Sequence, residues 1–255
     1  LRVSFLEDND ESTSGNGQFL TELEGIECGG YTIDPFPHDR QYFESQLKAV
    51  DGYFNDVSYG KFGIDLDQST VFPVQENESY ALFNSMNYYN PYDQGDIQEE
   101  RLTSLFADAI YKAYEMDQID FSSYDLVVVF HAGIGQDFSL PFLDPTPEDI
   151  PSTYVDNEMI LTYFGSSSIS ADGHEISHGI ILPETQNHLL FDIAESMFSD
   201  ASEPCEYQYG LTGTFALMIG FAVGLPPLWN IETGESGVGV FGLMDQGSNN
   251  GRGIV

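Results

Sequence analysis

Residues 215–226 of the chain read FALMIGFAVGLP, and the first nine of them are apolar apart from Gly220. An apolar run of this length without a polar face is typical of a helix that is buried on all sides. Gly224 and Pro226 then predict its end, because glycine readily takes a left-handed backbone conformation and proline cannot continue a helix. We therefore expect a wholly buried helix over residues 215–223.

The rest of the chain predicts a mixed α/β fold. Residues 124–130 read YDLVVVF, a β-branched run typical of a strand buried on both faces. We expect a β-hairpin over residues 159–183 that turns near 171–173, and a short helix over 189–197. Asp39 and Asp96 start two amphipathic helices. The apolar face of the first consists of Phe43, Leu47, Val50 and Phe54, and that of the second of Leu102, Leu105, Phe106, Ala109, Ile110 and Ala113.

The sequence contains no internal repeat and no clear linker. We therefore predict a single domain over residues 1–255, with two lobes of about residues 1–210 and 211–255 as the alternative. No apolar stretch approaches the roughly 20 residues that span a bilayer, so no membrane span is expected. Cys28 and Cys205 form one disulfide if the protein is exported, and are unrelated buried thiols if it is not.

The charge balance narrows the range of partners. The chain has 42 acidic residues against 7 lysines and arginines, a formal net charge of −35. Such a surface repels nucleic acid and anionic lipid, but it attracts cations, above all calcium, which prefers carboxylate oxygens. Asp8, Asp10 and Asp245 lie in loops that offer such oxygens, although neither loop matches the EF-hand pattern. The simpler interpretation is a solvated acidic surface suited to a secreted or cell-surface protein.

Residues 174–178 match the zinc-peptidase signature His-Glu-x-x-His, with His174 and His178 as ligands and Glu175 as the base. The signature requires a helix, in which positions i and i+4 lie about 6 Å apart and both imidazoles reach one zinc ion. In a strand the same two residues are about 13 Å apart. Gly173, Gly179 and the β-like residues 180–182 flank the signature, so we expect hairpin or surface histidines.

The segment around the apolar helix resembles a known family. The active-site helix of immune-inhibitor-A-type zinc metallopeptidases reads His-Glu-x-Gly-His-x-x-Gly-Leu-Pro-Asp-Leu-Tyr, and residues 220 and 224–226 match its Gly, Gly, Leu and Pro. Residues 239–248 resemble the turn of that family, Gly-x-Phe-x-Leu-Met, which lies beneath the metal. Residues 41–61 and 127–137 resemble further segments, and the matches follow the family's order along nearly the whole chain.

The resemblance implies a zincin-type fold with a mixed twisted sheet, a former active-site helix and a Gly-rich Met-turn region. It also places Leu217 and Phe221 at the two histidine positions, Met218 at the catalytic Glu and Pro227 at the Asp. These side chains offer at most a weak thioether, so no zinc site is expected there. His131, which follows the buried strand, is a candidate cleft-lining residue, with a hydrogen-bonded structural role as the alternative.

Three functions remain open at this point. The leading hypothesis is a non-catalytic, extracellular pseudopeptidase that binds peptide, polysaccharide or its own copies. The first alternative is an active zinc metallopeptidase that uses His174, Glu175 and His178. The second is a structural subunit of a surface layer or filament, for which an inert acidic domain would be suitable.

Overall fold

The computed structural model describes residues 1–22, 32–138, 144–193, 197, 204–231 and 233–249. The fold is mixed α/β and centres on a five-stranded sheet. Its strands are β1 (Arg2–Ser4), β2 (Tyr80–Ala81), β3 (Val127–Ile134), β4 (Thr153–Val155) and β7 (Gly179–Thr185). Their order in the sheet is β2-β1-β3-β7-β4, the first four run parallel, and β4 is antiparallel.

Helices cover both faces of the sheet. A separate two-stranded hairpin of β5 (Ile169–Ala171) and β6 (His174–Ile176) completes the strands. The described helices are α1 (Arg40–Val57), α2 (Met86–Tyr89), α3 (Gly95–Asp117), α4 (Asn157–Phe164) and α5 (Leu211–Ala222). None of the helices in the described part of the chain is long and apolar enough to cross a membrane.

The central strands β3 and β7 send alternate side chains to two hydrophobic cores, as the period of two in a strand requires. Val127, Val129 and Ile181 pack on the α3 side with Leu105, Phe106 and Ile110. Phe130, Ile180 and Leu182 pack on the other side, with Phe43 and Val50 of α1 and Phe215 of α5. This second core therefore contains residues from both of the alternative lobes, 1–210 and 211–255.

The predicted helices over the first half of the chain are confirmed. Asp39 is the N-cap of α1, and its side chain accepts a hydrogen bond of 2.9 Å from the Tyr42 N–H. Phe43, Val50 and Phe54 are buried on one face of α1, and the predicted apolar face of α3 is buried as well. The spacing of apolar residues therefore identified both helices and the faces that they bury.

The predicted hairpin over 159–183 is correct only in its middle. Residues 169–176 form it with the turn at Asp172 and Gly173. Its predicted first strand is instead part of α4, because Asp156 caps that helix by accepting from the N–H groups of Glu158 and Met159. Its predicted last strand, β7, leaves the hairpin and pairs with β3 in parallel.

The helix predicted over 189–197 lies partly outside the described residues. Its beginning is a 3-10 helix at His188–Phe191.

The apolar run at 215–223 forms α5, which begins earlier than predicted, at Leu211. Asp34, from a distant part of the chain, acts like an N-cap at this start. Its carboxylate accepts a hydrogen bond of 2.7 Å from the Leu211 N–H. The helix ends as predicted. Gly224 has a φ of +84°, and the N–H groups of Gly224 and Leu225 bond back to the carbonyls of Phe221 and Gly220.

Two glycines of α5 allow the segment 242–249 to pack directly against the helix. A Cβ on Gly213 would lie 1.9 Å from the Ser248 carbonyl oxygen, and one on Gly220 would lie 2.4 Å from Met244 Sδ. Both distances are far below van der Waals contact. The helix and this segment can therefore be in contact only because these two positions lack side chains.

We predict that Gly213→Ala destabilises the protein, although alanine is the better helix former. The methyl group meets a backbone oxygen, and overpacking of this kind costs about 1–3 kcal/mol. Gly52→Ala in α1 is the matched control, because a Cβ there meets nothing within 4 Å. Urea unfolding should show a gain of about 0.5–1 kcal/mol for the control. A stabilised Gly213→Ala variant would contradict the close packing of α5 and segment 242–249.

Candidate functional site

A cleft of about 570 Å³ lies between α5, the edge strand β4 and the chain that follows α5. Four of its lining residues come from α5 itself, at positions 214, 217, 218 and 221. This spacing places them on one face of the helix. The residues that line the cleft are Asp137, Ser152, Thr153, Tyr154, Thr214, Leu217, Met218, Phe221, Trp229, Gly234, Asp245, Gln246 and Ser248.

One wall of the cleft is aromatic. The rings of Tyr154 and Phe221 are nearly parallel, with their centroids 6.3 Å apart and an interplanar angle of 24°. The ring of Trp229 meets that of Phe221 edge to face, at 5.8 Å and 87°. All three side chains are half-buried, so they combine a fixed position with a surface that a ligand can contact.

Another part of the lining is polar. The carboxylate of Asp137 accepts hydrogen bonds from the Ser152 N–H (3.0 Å), the Ser152 hydroxyl (2.7 Å) and the Gln186 side-chain amide. Burial raises the pKa of Asp137, while these hydrogen bonds act in the opposite direction. Thr214 is only 3% exposed, and its hydroxyl has no hydrogen-bond partner among the described residues. A buried hydroxyl without a partner is uncommon, and here it belongs to a residue that lines the cleft.

Asp245 organises the loop that closes the cleft on the C-terminal side. One of its carboxylate oxygens accepts from the Ser236 hydroxyl and from the N–H groups of Gly237, Val238 and Gly239, at 2.7–2.9 Å. Desolvation alone would raise the pKa of Asp245, but these donors hold it below its usual value. Asp245, which the sequence suggested as a calcium ligand, thus has one carboxylate oxygen occupied by four hydrogen-bond donors.

The other calcium candidates, Asp8 and Asp10, stabilise their own loop. Asp10 accepts from the N–H and the hydroxyl of Ser12 and from the Asn87 side chain, and Asp8 accepts from the Asp10 N–H. Within the described residues there is no group of three or more His, Cys, Asp or Glu side chains arranged to hold a metal ion.

The positions that the resemblance assigns to a catalytic site lie together. Leu217, Met218 and Phe221 all line the cleft, whereas Pro227 does not. Leu217 and Met218 are 9% and 7% exposed, and Phe221 is half-buried against Tyr154 and Trp229. At these three positions the helix therefore presents hydrocarbon and one thioether to the cleft.

The His-Glu-x-x-His sequence begins on the β5–β6 hairpin and ends at His178, whose ring centroid lies 6.2 Å from that of Tyr154. His174 and Glu175 are strand residues of β6. Side chains of neighbouring strand residues point to opposite faces of the hairpin. His178 lies beyond the end of β6, beside the Ser177 hydroxyl. Residues 174–178 therefore do not form the helix that two zinc ligands at this spacing require.

His131 is not the cleft-lining residue that its position after the strand suggested. Its side chain is fully buried within β3, its ring centroid lies 6.0 Å from that of Phe5, and Nδ1 lies 2.9 Å from the Ala132 carbonyl oxygen. Desolvation lowers the pKa of this ring to about 4. Because β3 is a central strand, its side chains enter the cores and not an open surface.

Sequence reasoning did not single out Asp137, Ser152, Tyr154 or Thr214 as cleft residues. Signals pointed to two of the four. Asp137 follows the end of the buried parallel strand β3 by three residues, and the C-terminal ends of such strands commonly border ligand clefts. Thr214 precedes Leu217 by one helical turn on the same face. Ser152 and Tyr154 carried no such signal, because their place beside α5 depends on the pairing of β4 with β7.

Cys205 is disulfide-bonded. Cys28, the only other cysteine in the sequence, lies outside the described residues.

No protein-family model, no curated protein and no solved structure matches this chain. Its function must therefore be argued from the chemistry of the cleft.

We predict that His131→Leu makes the stability of the protein less sensitive to acid. The folded state holds the ring neutral down to about pH 4, whereas the unfolded chain protonates it near pH 6.5. Acidification across this window therefore favours unfolding, on the order of 3 kcal/mol for this one group. Urea unfolding of both proteins between pH 7 and pH 4 should show that the free energy of unfolding falls less steeply with acidification in the variant. An equal fall in both proteins would contradict the conclusion that the fold holds His131 neutral.

Proposed function

We propose that the protein is a non-catalytic, metallopeptidase-like protein, a pseudopeptidase, that binds a ligand in the cleft beside α5. The observation that carries the proposal is the shared position of Leu217, Met218 and Phe221 on the cleft. The resemblance to immune-inhibitor-A-type metallopeptidases assigns these three positions to two zinc ligands and the catalytic base. The site thus keeps its place in the molecule but lacks the chemistry of a peptidase.

The residue types explain why hydrolysis at this site is not expected. Leucine and phenylalanine have no lone pairs for a metal ion, and methionine has only a weakly coordinating sulfur. A peptidase of this kind needs a metal to lower the pKa of its water and a carboxylate to take the proton. In the alternative zinc site His174 and Glu175 lie on strand β6 and His178 lies just beyond its end, so the three residues do not share a helix.

The packing of α5 supports a zincin-type architecture. The family resemblance places a methionine turn beneath the active-site helix, and Met244 lies against Gly220 of α5 in this fold. Met244 is 5% exposed and belongs to the same core as Phe215 and Leu217. A helix with this neighbour beside a mixed sheet is what the resemblance implies.

The setting that we propose is secreted or at the cell surface. A disulfide at Cys205 is typical of proteins that fold in an oxidising compartment. The net charge of −35 favours solubility outside the cell and disfavours nucleic acid as a partner.

The cleft has the size and composition of a binding site. Its volume of about 570 Å³ falls within the range of ligand pockets, which are mostly apolar with a few polar groups that orient the ligand. The chain that carries Trp229 extends the apolar surface. It exposes Val223, Leu225, Leu228, Ile231, Val238, Val240 and Phe241. A ligand larger than the cleft, such as a peptide, could therefore make further contacts beyond it.

The first test measures zinc and hydrolysis on the purified protein. We expect substoichiometric zinc by elemental analysis and no cleavage of casein or of unstructured peptides, because Leu217, Met218 and Phe221 offer no zinc ligand stronger than a thioether. His178→Ala should change neither result. Stoichiometric zinc with chelator-sensitive cleavage that His178→Ala abolishes would instead establish the alternative site on the hairpin.

A gain-of-function variant tests the inferred position of the former site. In Leu217→His/Phe221→His the two imidazoles stand at i and i+4 of α5, about 6 Å apart, and can reach one zinc ion. We expect the double variant to bind zinc at least about tenfold more tightly than either single variant, because a second ligand acts on the same ion.

The control for this gain is His174→Ala in the double-variant background. It should leave zinc binding unchanged, because His174 lies on the hairpin and not on the cleft. A double variant that binds no more tightly than the single variants would contradict the assignment of these positions to one metal site.

A further inference from the structure

The charge of the cleft indicates what kind of ligand it can take. Its lining includes the carboxylates of Asp137 and Asp245, and none of the described residues that line it is a lysine or an arginine. The whole chain carries a net charge of −35. The electrostatic potential in the cleft is therefore negative, which raises the local concentration of cations and repels anionic ligands.

The aromatic wall of the cleft also favours a cationic ligand. The faces and edges of the Tyr154, Phe221 and Trp229 rings meet at one corner of the cleft. Aromatic faces carry negative partial charge and attract ammonium and guanidinium groups, most strongly where water is excluded. They also pack well against the aliphatic stem of a long side chain.

The polar part of the lining offers hydrogen-bond acceptors to such a group. Among the described residues, one oxygen of Asp137 accepts only from the Ser152 N–H, so it retains the capacity to accept another hydrogen bond. Thr214 is 97% buried and its hydroxyl has no partner within the part of the chain that the structure describes, so its oxygen can accept as well. An ammonium or guanidinium group supplies only donors, which is what these two oxygens lack.

We propose that the cleft binds the side chain of a lysine or arginine from a peptide ligand, with the aliphatic stem against the aromatic wall and the charged end at Asp137 and Thr214. This inference rests on the proposed binding function and specifies its ligand. Burial raises the pKa of Asp137 in the free protein, and a bound cation would favour its ionised form. A neutral saccharide would pack against the aromatic rings but would not be attracted by the negative charge of the cleft.

The experiment is isothermal titration calorimetry with a blocked pentapeptide that has a central lysine among alanines. The matched ligand has norleucine at the centre, which keeps the stem and lacks the ammonium group. We expect the lysine and arginine peptides to bind at least about tenfold more tightly than the norleucine peptide, and the difference to shrink as salt rises from 50 to 500 mM.

Variants locate the binding. Asp137→Asn, Thr214→Val and Phe221→Ala should each weaken the lysine peptide, by about tenfold for Asp137→Asn. Asp67→Asn is the control for charge, because it removes the same charge from an exposed position away from the cleft. Phe83→Ala is the control for ring removal, because Phe83 is 83% exposed and does not line the cleft. Circular dichroism confirms that each variant is folded.

The outcomes separate this inference from the proposed function. Equal weakening by Asp137→Asn and Asp67→Asn would show general attraction to an acidic surface and would overturn the inference. Equal binding of norleucine peptides or of neutral oligosaccharides, lost in Phe221→Ala, would overturn the inference but leave the cleft as a binding site. If no probe binds, or if Phe221→Ala changes nothing, the cleft proposal fails together with it.

Discussion

The architecture depends on the packing of one helix, α5, against three different surroundings. Leu211 and Phe215 face the sheet, where the Phe215 ring meets that of Phe130 edge to face at 5.4 Å. Gly213 and Gly220 face segment 242–249, which contacts the helix backbone because both positions lack a side chain. The third face borders the cleft. A helix with so little polar surface is stable only when all its faces are covered, and each covering element is placed by a different part of the chain.

The start of α5 is fixed by a buried polar network that the helix itself does not contain. Asp34 accepts from the Leu211 N–H, from the Thr185 hydroxyl and from the Gln46 amide. His38 connects this aspartate to the sheet, because its ring contacts the Asp34 carbonyl (2.9 Å) and the Glu184 carboxylate (2.6 Å).

Burial lowers the pKa of His38, but the hydrogen bond and the charge of Glu184 raise it above its ordinary value. Glu184 also accepts from the N–H groups of Gly133 and Leu20, so every buried charge in this network has partners. Such networks restrict the arrangement of the elements that they join, because a displaced partner would leave a buried group unsatisfied.

The cleft is lined both by apolar side chains that belong to a hydrophobic core and by polar side chains. Leu217 and Met218 contribute to the second hydrophobic core and also border the cleft, so the hydrocarbon at these positions stabilises the fold. Burying one such side chain contributes about 1.5–3 kcal/mol. At the same time Asp137 and Thr214 keep polar groups at the cleft, where an apolar core would exclude them. This combination supports the binding role proposed above.

The sequence by itself determined the local structure with strong periodic or terminal signals. The spacing of Phe43, Val50 and Phe54 identified α1, the β-branched run identified β3, and Gly224 with Pro226 identified the end of α5. It also indicated that the His-Glu-x-x-His sequence is not helical, because glycines and β-like residues flank it. These features depend on residues close together in the chain, whose conformational preferences act within one or two turns.

Only the tertiary structure decided which of these elements meet. The pairing of β7 with β3 and β4, the burial of His131 and the approach of Ser152 and Tyr154 to α5 all depend on contacts between residues far apart in sequence. The same holds for the hydrogen bond from Leu211 to Asp34, which spans 177 positions. Local propensity carries no information about such contacts, because their free energy comes from burying surfaces that exist only once the sheet and its helices have assembled.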